Sequence, residues 1–568
     1  GAVLVETTRS LVSLGTEKML IEFGKSGWLA KARSQPDKVK QVLQKIKTDG
    51  LWATLDSVKA KLDTPIALGY CNVGVVREVG EHSGYHVSDR VVSNGPHAEW
   101  VAVPENLTAK IPDNVSDDAA AFAIVGAIGL QGIRLIQPTI GERVVVSGLG
   151  LIGLMAVQIL RANGCQVLGI DFDPKKLALA RQYGAATVDL SAGQDPIAVA
   201  EQWSEGIGVD AVLVTASTKS DELIHQAATM CRQRGRIVLV GVIGLNLRRA
   251  DFYEKEISFQ VSCSYGPGRY DDNYEKLGLD YPIGFVRWTE RRNFEAILQL
   301  MADGLLDVSS LITHRFDFDR ALEGYQAVGD PKAMGIVLNY DQTGATLEDP
   351  ETAETSPIRR YSNEETTVGT FTIPQPNKDS VSIAFVGAGG FTTRTLLPLL
   401  PKAGITRAAI VSSSGVSAAH AANKFGFQKS LSDARQVFDD PAIDVVFITT
   451  PHHLHARMVC QALSAGKHVF VEKPLAMTFD ELEEVREAVE KNPTKCLMVG
   501  FNRRFSPHIL ALRKWLRAAP SNMAVNITVN AGAIPADHWT QDRRVGGGRI
   551  IGEGCHFVDL ARFLVGQP

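Results

Sequence analysis

The sequence predicts an α/β chain built on two doubly wound parallel sheets, and three observations carry that reading. Two short apolar runs, Arg143–Ser147 and Ser382–Val386, each lead directly into a glycine-rich turn. After each turn, strand-like runs alternate with helical stretches, the pattern of βαβ units. A segment of different composition, residues 341–379, separates the two series.

In chain order, residues 1–23 alternate apolar and polar (Val3, Val5, then Leu11-Val12-Ser13-Leu14) and predict short strands. Residues 25–61 change character: Val39, Val42, Leu43 and Ile46 recur at helical spacing, and nine basic residues face three acidic ones. Strands return at Val73–Val79, Arg90–Val92 and Ala98–Val103. From Asp117 to about Tyr340 the strands Arg143–Ser147, Gln166–Ile170, Ala211–Thr215 and Arg236–Val240 alternate with helices. Residues 341–379, rich in Thr, Glu, Pro and Ser, read as a linker. The second series runs through Ser382–Val386, Ala408–Ser412, Val445–Thr449 and His468–Glu472. A further strand-and-helix segment begins near Leu497 and ends in a helix, Cys555–Leu564.

Bulk properties narrow the function. The 568 residues suggest roughly three to four domains of ordinary size. Hydrophobic residues at 45% and charged ones at 21% suit globular cores. A net charge of −4 gives no general surface for nucleic acid, and no apolar run is long enough to span a membrane. The seven cysteines, Cys71, Cys165, Cys231, Cys263, Cys460, Cys496 and Cys555, are far apart, which suits reduced thiols and a cytoplasmic protein and excludes a local CxxC knuckle. No signal peptide is expected, although the chain opens at Gly1 already inside a strand-like run.

The first glycine turn is Gly148-Leu149-Gly150-Leu151-Ile152-Gly153. Gly148 permits the tight turn, Gly150 lets backbone approach a pyrophosphate, and Gly153 allows close helix–strand packing. The next strand ends at Asp171, where a carboxylate would accept hydrogen bonds from ribose hydroxyls and repel a 2′-phosphate. These features predict NAD in the first module.

Gly15-Thr16-Glu17, Leu68-Gly69-Tyr70, Ser88-Asp89-Arg90-Val91, Ala98-Glu99-Trp100-Val101 and Pro104 stand in the order found in the medium-chain, zinc-type alcohol dehydrogenase superfamily. Residues 1–340 resemble that superfamily. The resemblance implies a GroES-like β-barrel over 1–120, carrying the helical insertion 25–61. It further implies a Rossmann domain over 121–270 and a return to the first catalytic domain over 271–340. The family's zinc cysteine corresponds to Leu14, and its zinc-binding histidine and glutamate to Tyr70 and Cys71. Asp89 to His97 is too short for the structural four-cysteine lobe. No zinc is therefore expected, since a catalytic site needs about three protein ligands. Tyr70 and Glu17 are the candidate catalytic substitutes, against a packed phenol and a surface ion pair respectively. The net charge of +6 in 25–61 suits an anionic sugar-type substrate or, alternatively, a solvated helical face.

The second turn is Gly387-Ala388-Gly389-Gly390-Phe391-Thr392, with Thr392 at the third fingerprint position. The following strand ends in Ser412-Ser413-Ser414 with no acid, which leaves NAD or NADP open. Thr450-Pro451-His452-His453-Leu454-His455, Glu472-Lys473-Pro474-Leu475, Gly500-Phe501-Asn502-Arg503-Arg504-Phe505 and Glu553-Gly554-Cys555-His556-Phe557 are similar to motifs of the Gfo/Idh/MocA family, over about 380–568. That resemblance implies a second Rossmann domain over 380–495 and, over 496–568, the start of an α+β domain with an open-faced sheet that often makes an oligomer contact, so a homo-oligomer is one expectation. It implies Lys473 and His556 as catalysts, with Glu472 and Pro474 near the cofactor and Asn502, Arg503 and Arg504 near substrate. The family's Asp four residues before the His is Gly552 here, with Glu553 the candidate acid beside it. Both ends read as those of a fragment of a longer polypeptide. Together these features predict a bi-domain NAD(P)-dependent oxidoreductase acting on a hydroxyl or ketone of a sugar. In the alternative, only the C-terminal half is catalytic and the N-terminal half is a dinucleotide-binding scaffold or sensor.

Overall fold

The computed structural model describes residues 1–25, 65–81, 83–340, 380–516, 524–530, 532, 534 and 538–565. The basic insertion and the linker expected from the sequence lie outside the described residues. Residues 67–340 with 1–25 form one compact unit, and 380–565 form another.

The first unit begins with β1 (Ala2–Val12), a single strand of eleven residues that buries Val3, Val5, Leu11 and Val12. It pairs antiparallel with β2 (Asn72–Val79), which continues to β3 (Arg90–Ser93). β4 (Trp100–Pro104) pairs with β1, and β5 (Thr108–Lys110) with β3. The short strands expected through residue 23 are corrected here, because Thr16–Lys25 is a helix. Alternation stops at Gly15, and Glu17 in the first turn complements the helix dipole.

The chain then builds β6 (Arg143–Ser147), β7 (Gln166–Asp171), β8 (Ala186–Asp189), β9 (Val209–Val214), β10 (Cys231–Leu239) and β11 (Ser258–Val261). Their order is β11-β10-β9-β6-β7-β8, parallel throughout. The chain leaves β6 in one direction and later returns to its other side, so a crevice opens beyond the carboxyl ends of β6 and β9. Val144, Val145 and Val146 are fully buried, as a strand covered on both faces requires. β12 (Ile312–Asp317) and β13 (Gly335–Asn339) carry the chain back to the first sheet, where β13 pairs with β1.

The second unit repeats the parallel topology. β14 (Val381–Val386), β15 (Ile405–Val411), β16 (Lys429–Leu431), β17 (Val445–Ile448), β18 (His468–Val471) and β19 (Leu497–Val499) lie in the order β16-β15-β14-β17-β18-β19. The helix expected after the glycine turn is replaced by a π-helical turn, Thr392–Leu396, followed by a 3₁₀ turn, Leu397–Leu399. Pro398 has no N–H to extend an α-helical ladder there. Beyond Val499 the described residues hold helices, turns and extended chain, and no strand among them.

Candidate functional site

Two glycines of the first turn have a steric reason. Gly148 has φ +96°, and a Cβ there would lie 2.6 Å from the Ala216 nitrogen. A Cβ on Gly153 would lie 2.0 Å from the Gly148 carbonyl oxygen, so only glycine lets the helix Leu151–Ala162 approach. Gly150 faces open space, with nothing within 4 Å of a Cβ position. Asp171 ends β7, and its carboxylate accepts N–H bonds from Leu149 at 2.7 Å and Asp173 at 2.9 Å. The acid is thereby fixed against the glycine loop, where it can meet a ribose and repel a 2′-phosphate. These residues fit a dinucleotide.

Around Tyr70 the fold builds a different arrangement. Glu17 is fully buried. It accepts the Ser13 N–H at 2.8 Å and the Tyr325 hydroxyl, and it pairs with His97 Nε2 at 3.2 Å. His97 Nδ1 lies 2.7 Å from Ser10 Oγ, which in turn meets the Tyr340 hydroxyl. Tyr70 joins the network by donating to Ser13 Oγ at 2.8 Å, and burial pushes its phenol well above the ordinary range. Glu17 is therefore not in a surface ion pair, and Tyr70 bonds a side chain rather than backbone. His97, Tyr325 and Tyr340 carried no local signal, because the fold joins Glu17 to Tyr325 across 308 positions.

In the second module Gly387 has φ +117°, and a Cβ would lie 2.6 Å from the Thr449 carbonyl. Thr392 is buried, and its hydroxyl donates to Thr449 Oγ1 at 2.8 Å, while Thr449 donates to the Gly387 carbonyl at 2.9 Å. The third fingerprint residue thus locks the loop to the end of β17. Gly389 faces open space, and Gly390 is covered by Arg394, whose Nε donates to the Gly390 carbonyl at 2.9 Å. Ser412 and Ser414 both reach Ser417 Oγ at 2.7 Å, and Ser413 is exposed. The loop fits a dinucleotide, with hydroxyls where the first module has Asp171.

At the end of β18 the structure brings the remaining candidates together. Glu472 is half-buried, and burial raises its carboxyl above the ordinary range. A Cβ on Gly500 would lie 2.7 Å from Glu472 Oε1, so that acid packs against β19's end. Lys473 Nζ donates to the Gly552 carbonyl at 2.7 Å, in the turn that leads into the helix Cys555–Val565. His556 sits in that helix's first turn, buried, with no partner for Nδ1 among the described residues. Burial, then the charges of Lys473 and Arg503, push its imidazole down to about 4, so the ring is neutral and can accept a proton. His455 faces the Pro474 carbonyl at 2.7 Å and the Thr450 carbonyl at 2.8 Å, and so steadies the segment that carries Lys473.

Glu553, Arg504, Arg503 and Asn502 are the remaining sequence-based candidates of this module. Glu553 pairs with Arg549 at 3.2 Å, four residues back along the chain. Arg504 is bound by both carboxylate oxygens of buried Asp559, a partner the sequence did not single out. Arg503 lies 4.6 Å over the Phe557 ring, and Asn502 is exposed. At Gly552, a Cβ would come within 3.0 Å of His452 Cε1 and 3.2 Å of the Gly546 carbonyl. His452 thus borders the space that a side chain at this position would need.

Comparison with known proteins places these modules. Residues 152–278 match the family model "Zinc-binding dehydrogenase", and residues 381–501 match "Oxidoreductase family, NAD-binding Rossmann fold". Two separate segments of the chain thus match models of two oxidoreductase families. A levoglucosan dehydrogenase of Pseudarthrobacter phenanthrenivorans is 36% identical over 161 residues, 26% of this chain and 40% of that protein. A scyllo-inositol 2-dehydrogenase (NAD(+)) of Bacillus subtilis is 34% identical over 148 residues, 26% and 42% of the two chains. An uncharacterized zinc-type alcohol dehydrogenase-like protein of Escherichia coli is 27% identical over 234 residues, 41% and 60% of the two chains. The chain spans about half the length of these relatives.

The zinc implied by the first family does not fit the side chains at the corresponding positions. Leu14 packs in an apolar cluster, and the Cys71 thiol is wholly buried among apolar side chains, which raise it well above the ordinary thiol range. Among the described residues, no three His, Cys, Asp or Glu side chains come together as a metal site. No described helix is long and apolar enough to cross a membrane.

Proposed function

We propose that this chain is an NAD(P)-dependent oxidoreductase that interconverts a hydroxyl and a ketone on a sugar or sugar derivative, with Lys473 and His556 carrying the proton chemistry of the second module. The observation that supports it most directly is His556 Nδ1, buried without a partner among the described residues, in the helix whose preceding turn Lys473 binds. Bound oxidised nicotinamide would supply the hydride acceptor. Lys473 would release the Gly552 carbonyl to hold the substrate oxygen by a charge-assisted hydrogen bond, which favours the alkoxide. His556 would accept the hydroxyl proton at Nδ1. Asn502 and Arg503, both exposed, would hold neighbouring hydroxyl or anionic groups.

The two modules would use different cofactors. Asp171 favours NAD in the first. In the second, a cavity of about 320 Å³ is lined by Gly389, Arg394, Ser412, Ser417 and His420, with no acid among its lining, and this favours the 2′-phosphate of NADP. A second reading, in which the first module is a dinucleotide-binding scaffold or sensor, is favoured by the Glu17–His97–Tyr325 network, which ties up the acid proposed as a substitute for zinc chemistry.

The test is a panel of polyols, inositols and anhydrosugars assayed for NAD and NADP reduction with the unaltered chain and with Lys473→Met, His556→Asn and Tyr70→Phe. Loss of turnover in the first two variants supports the proposal. Undiminished turnover in Lys473→Met defeats it, and loss in Tyr70→Phe alone moves the chemistry to the first module.

A further inference from the structure

A cavity of about 750 Å³ lies in the first unit between the helices Ala123–Ile136, Leu151–Ala162 and Glu290–Ala302. None of the glycine-loop residues lines it, and neither do Asp171 and Tyr70. Its floor is apolar, from Leu130, Ile133, Ile159, Leu300 and Leu305. At its edge the Arg134 guanidinium carbon lies 3.4 Å from the centre of the Trp288 ring, and that of Arg287 lies 3.9 Å from it. Stacking of this kind fixes guanidinium planes and leaves their N–H edges free for an oxyanion.

The charges around this cavity are unevenly matched. Arg291 is paired with Glu295 at 3.0 Å and Glu105 at 3.4 Å, and Arg292 with Asp280 and the Val286 carbonyl. Glu295 lines the same cavity but is engaged by Arg291. Among the described residues, Arg134 meets the Trp288 ring and the neutral Asn293 side chain, at 2.8 Å, and Arg287 meets the same ring. Among the described residues neither has a carboxylate within ion-pair distance. Arg134 is half-buried, and burial with the neighbouring Arg287 charge lowers its guanidinium to about 10. Two cations on one ring beside an apolar hollow form an incomplete arrangement that an anion would complete.

We infer that this cavity binds a small organic anion, with a planar or apolar body on the Leu130–Leu300 floor and a phosphate or carboxylate on Arg134 and Arg287. Its volume lies within the ordinary range of ligand pockets, about 300–1,000 Å³. The site stands apart from both proposed dinucleotide loops and does not depend on the reading of either.

Calorimetric titration of the full chain, saturated beforehand with NAD and NADP, tests it with phenyl phosphate, benzoate and benzyl alcohol as probes. One anion should bind one per chain, with benzyl alcohol roughly tenfold weaker or more, and Arg134→Met and Arg287→Met should each weaken the anion by roughly tenfold. The tighter of the two anions identifies the headgroup. Arg287 is exposed, so Arg287→Met should melt as the parent does and remains a valid test if Arg134→Met misfolds. Equal binding of benzyl alcohol, anion binding that both arginine variants leave intact, or no binding of either anion at millimolar concentration would each overturn the inference.

Discussion

Lys473 donates to the carbonyl of Gly552 at 2.7 Å, and this single bond ties the end of a parallel sheet to the turn that orients His556. The lysine sits where ligands enter open α/β sheets, and the histidine comes from a segment 83 positions later (556 less 473). A carbonyl in that bond can be exchanged for a substrate oxygen, whereas a carboxylate would hold the ammonium more firmly.

Adding a methyl group at Gly552 should therefore disturb both partners. Gly552→Ala puts a Cβ about 3.0 Å from Cε1 of His452, a ring whose Nδ1 lies 2.8 Å from the Gly546 carbonyl. Overpacking of this kind typically costs about 1–3 kcal/mol. The expected outcome is a lower melting temperature and a fall in sugar-alcohol turnover with dinucleotide affinity unchanged. Unaltered melting and turnover would show that the turn has room to spare.

The pH dependence of the second module should follow the depressed imidazole of His556. With its pKa near 4 in the folded chain, against the ordinary 6.5, the ring stays neutral through the mildly acid range. In that window the unfolded chain binds more protons, so stability contributed by the neutral ring is present above pH 6.5 and is lost as pH falls towards 4. The kcat/KM profile should keep its value down to about pH 5, and Arg503→Ala, by removing a neighbouring cation, should move the acid limb upward. An acid limb centred at 6.5 in the parent would contradict the assignment.

Glu290 makes the opposite prediction. It is fully buried at the start of the helix Glu290–Ala302, both carboxylate oxygens lack partners, and burial then Glu275 raise its carboxyl to about 8. Here the folded chain binds the extra proton, so stability falls as pH rises from about 4.5 through 8. Glu290→Gln should match the parent at pH 5 and melt higher at pH 9. Parallel melting curves across that range would place the charge elsewhere.

Cofactor preference can be read without turnover. Asp171→Ser should raise affinity for 2′,5′-ADP at the first loop, and Arg394→Ala should lower it at the second by roughly tenfold, the size of one charge-assisted hydrogen bond. Equilibrium binding of 2′,5′-ADP against 5′-AMP measures both. Insensitivity of both affinities to both changes would remove the stated basis for assigning two cofactors.

These sites differ in how far the sequence reveals them, and the difference is physical. The glycine turns and Asp171 act within one βαβ unit, where spacing along the chain is spacing in the structure. Short strands such as Ala186–Asp189 and Ser258–Val261 leave too few residues for a period to show. The helix at Thr16–Lys25 follows β1 after only three residues, so the break in alternation at Gly15 is a weak signal until Glu17 is seen to turn inward. Least legible are pairs made by the fold alone: His452 against Gly552, Arg504 against Asp559, and Tyr325 against Glu17.

Glu17 is where the two readings of the first module separate. Its carboxylate serves three donors at once: the Ser13 N–H, the Tyr325 hydroxyl and His97 Nε2. Glu17→Leu would leave buried donors without an acceptor, at about 1–3 kcal/mol for each. Glu17→Gln keeps one acceptor oxygen and should recover more than half of that stability. If the network is structural, the Gln variant melts near the parent and retains whatever turnover the first module has, while the Leu variant melts well below both. If Glu17 moves a proton in catalysis, the Gln variant is stable and inactive, since an amide cannot take that proton. Melting curves and NAD reduction measured on the same two variants separate these outcomes.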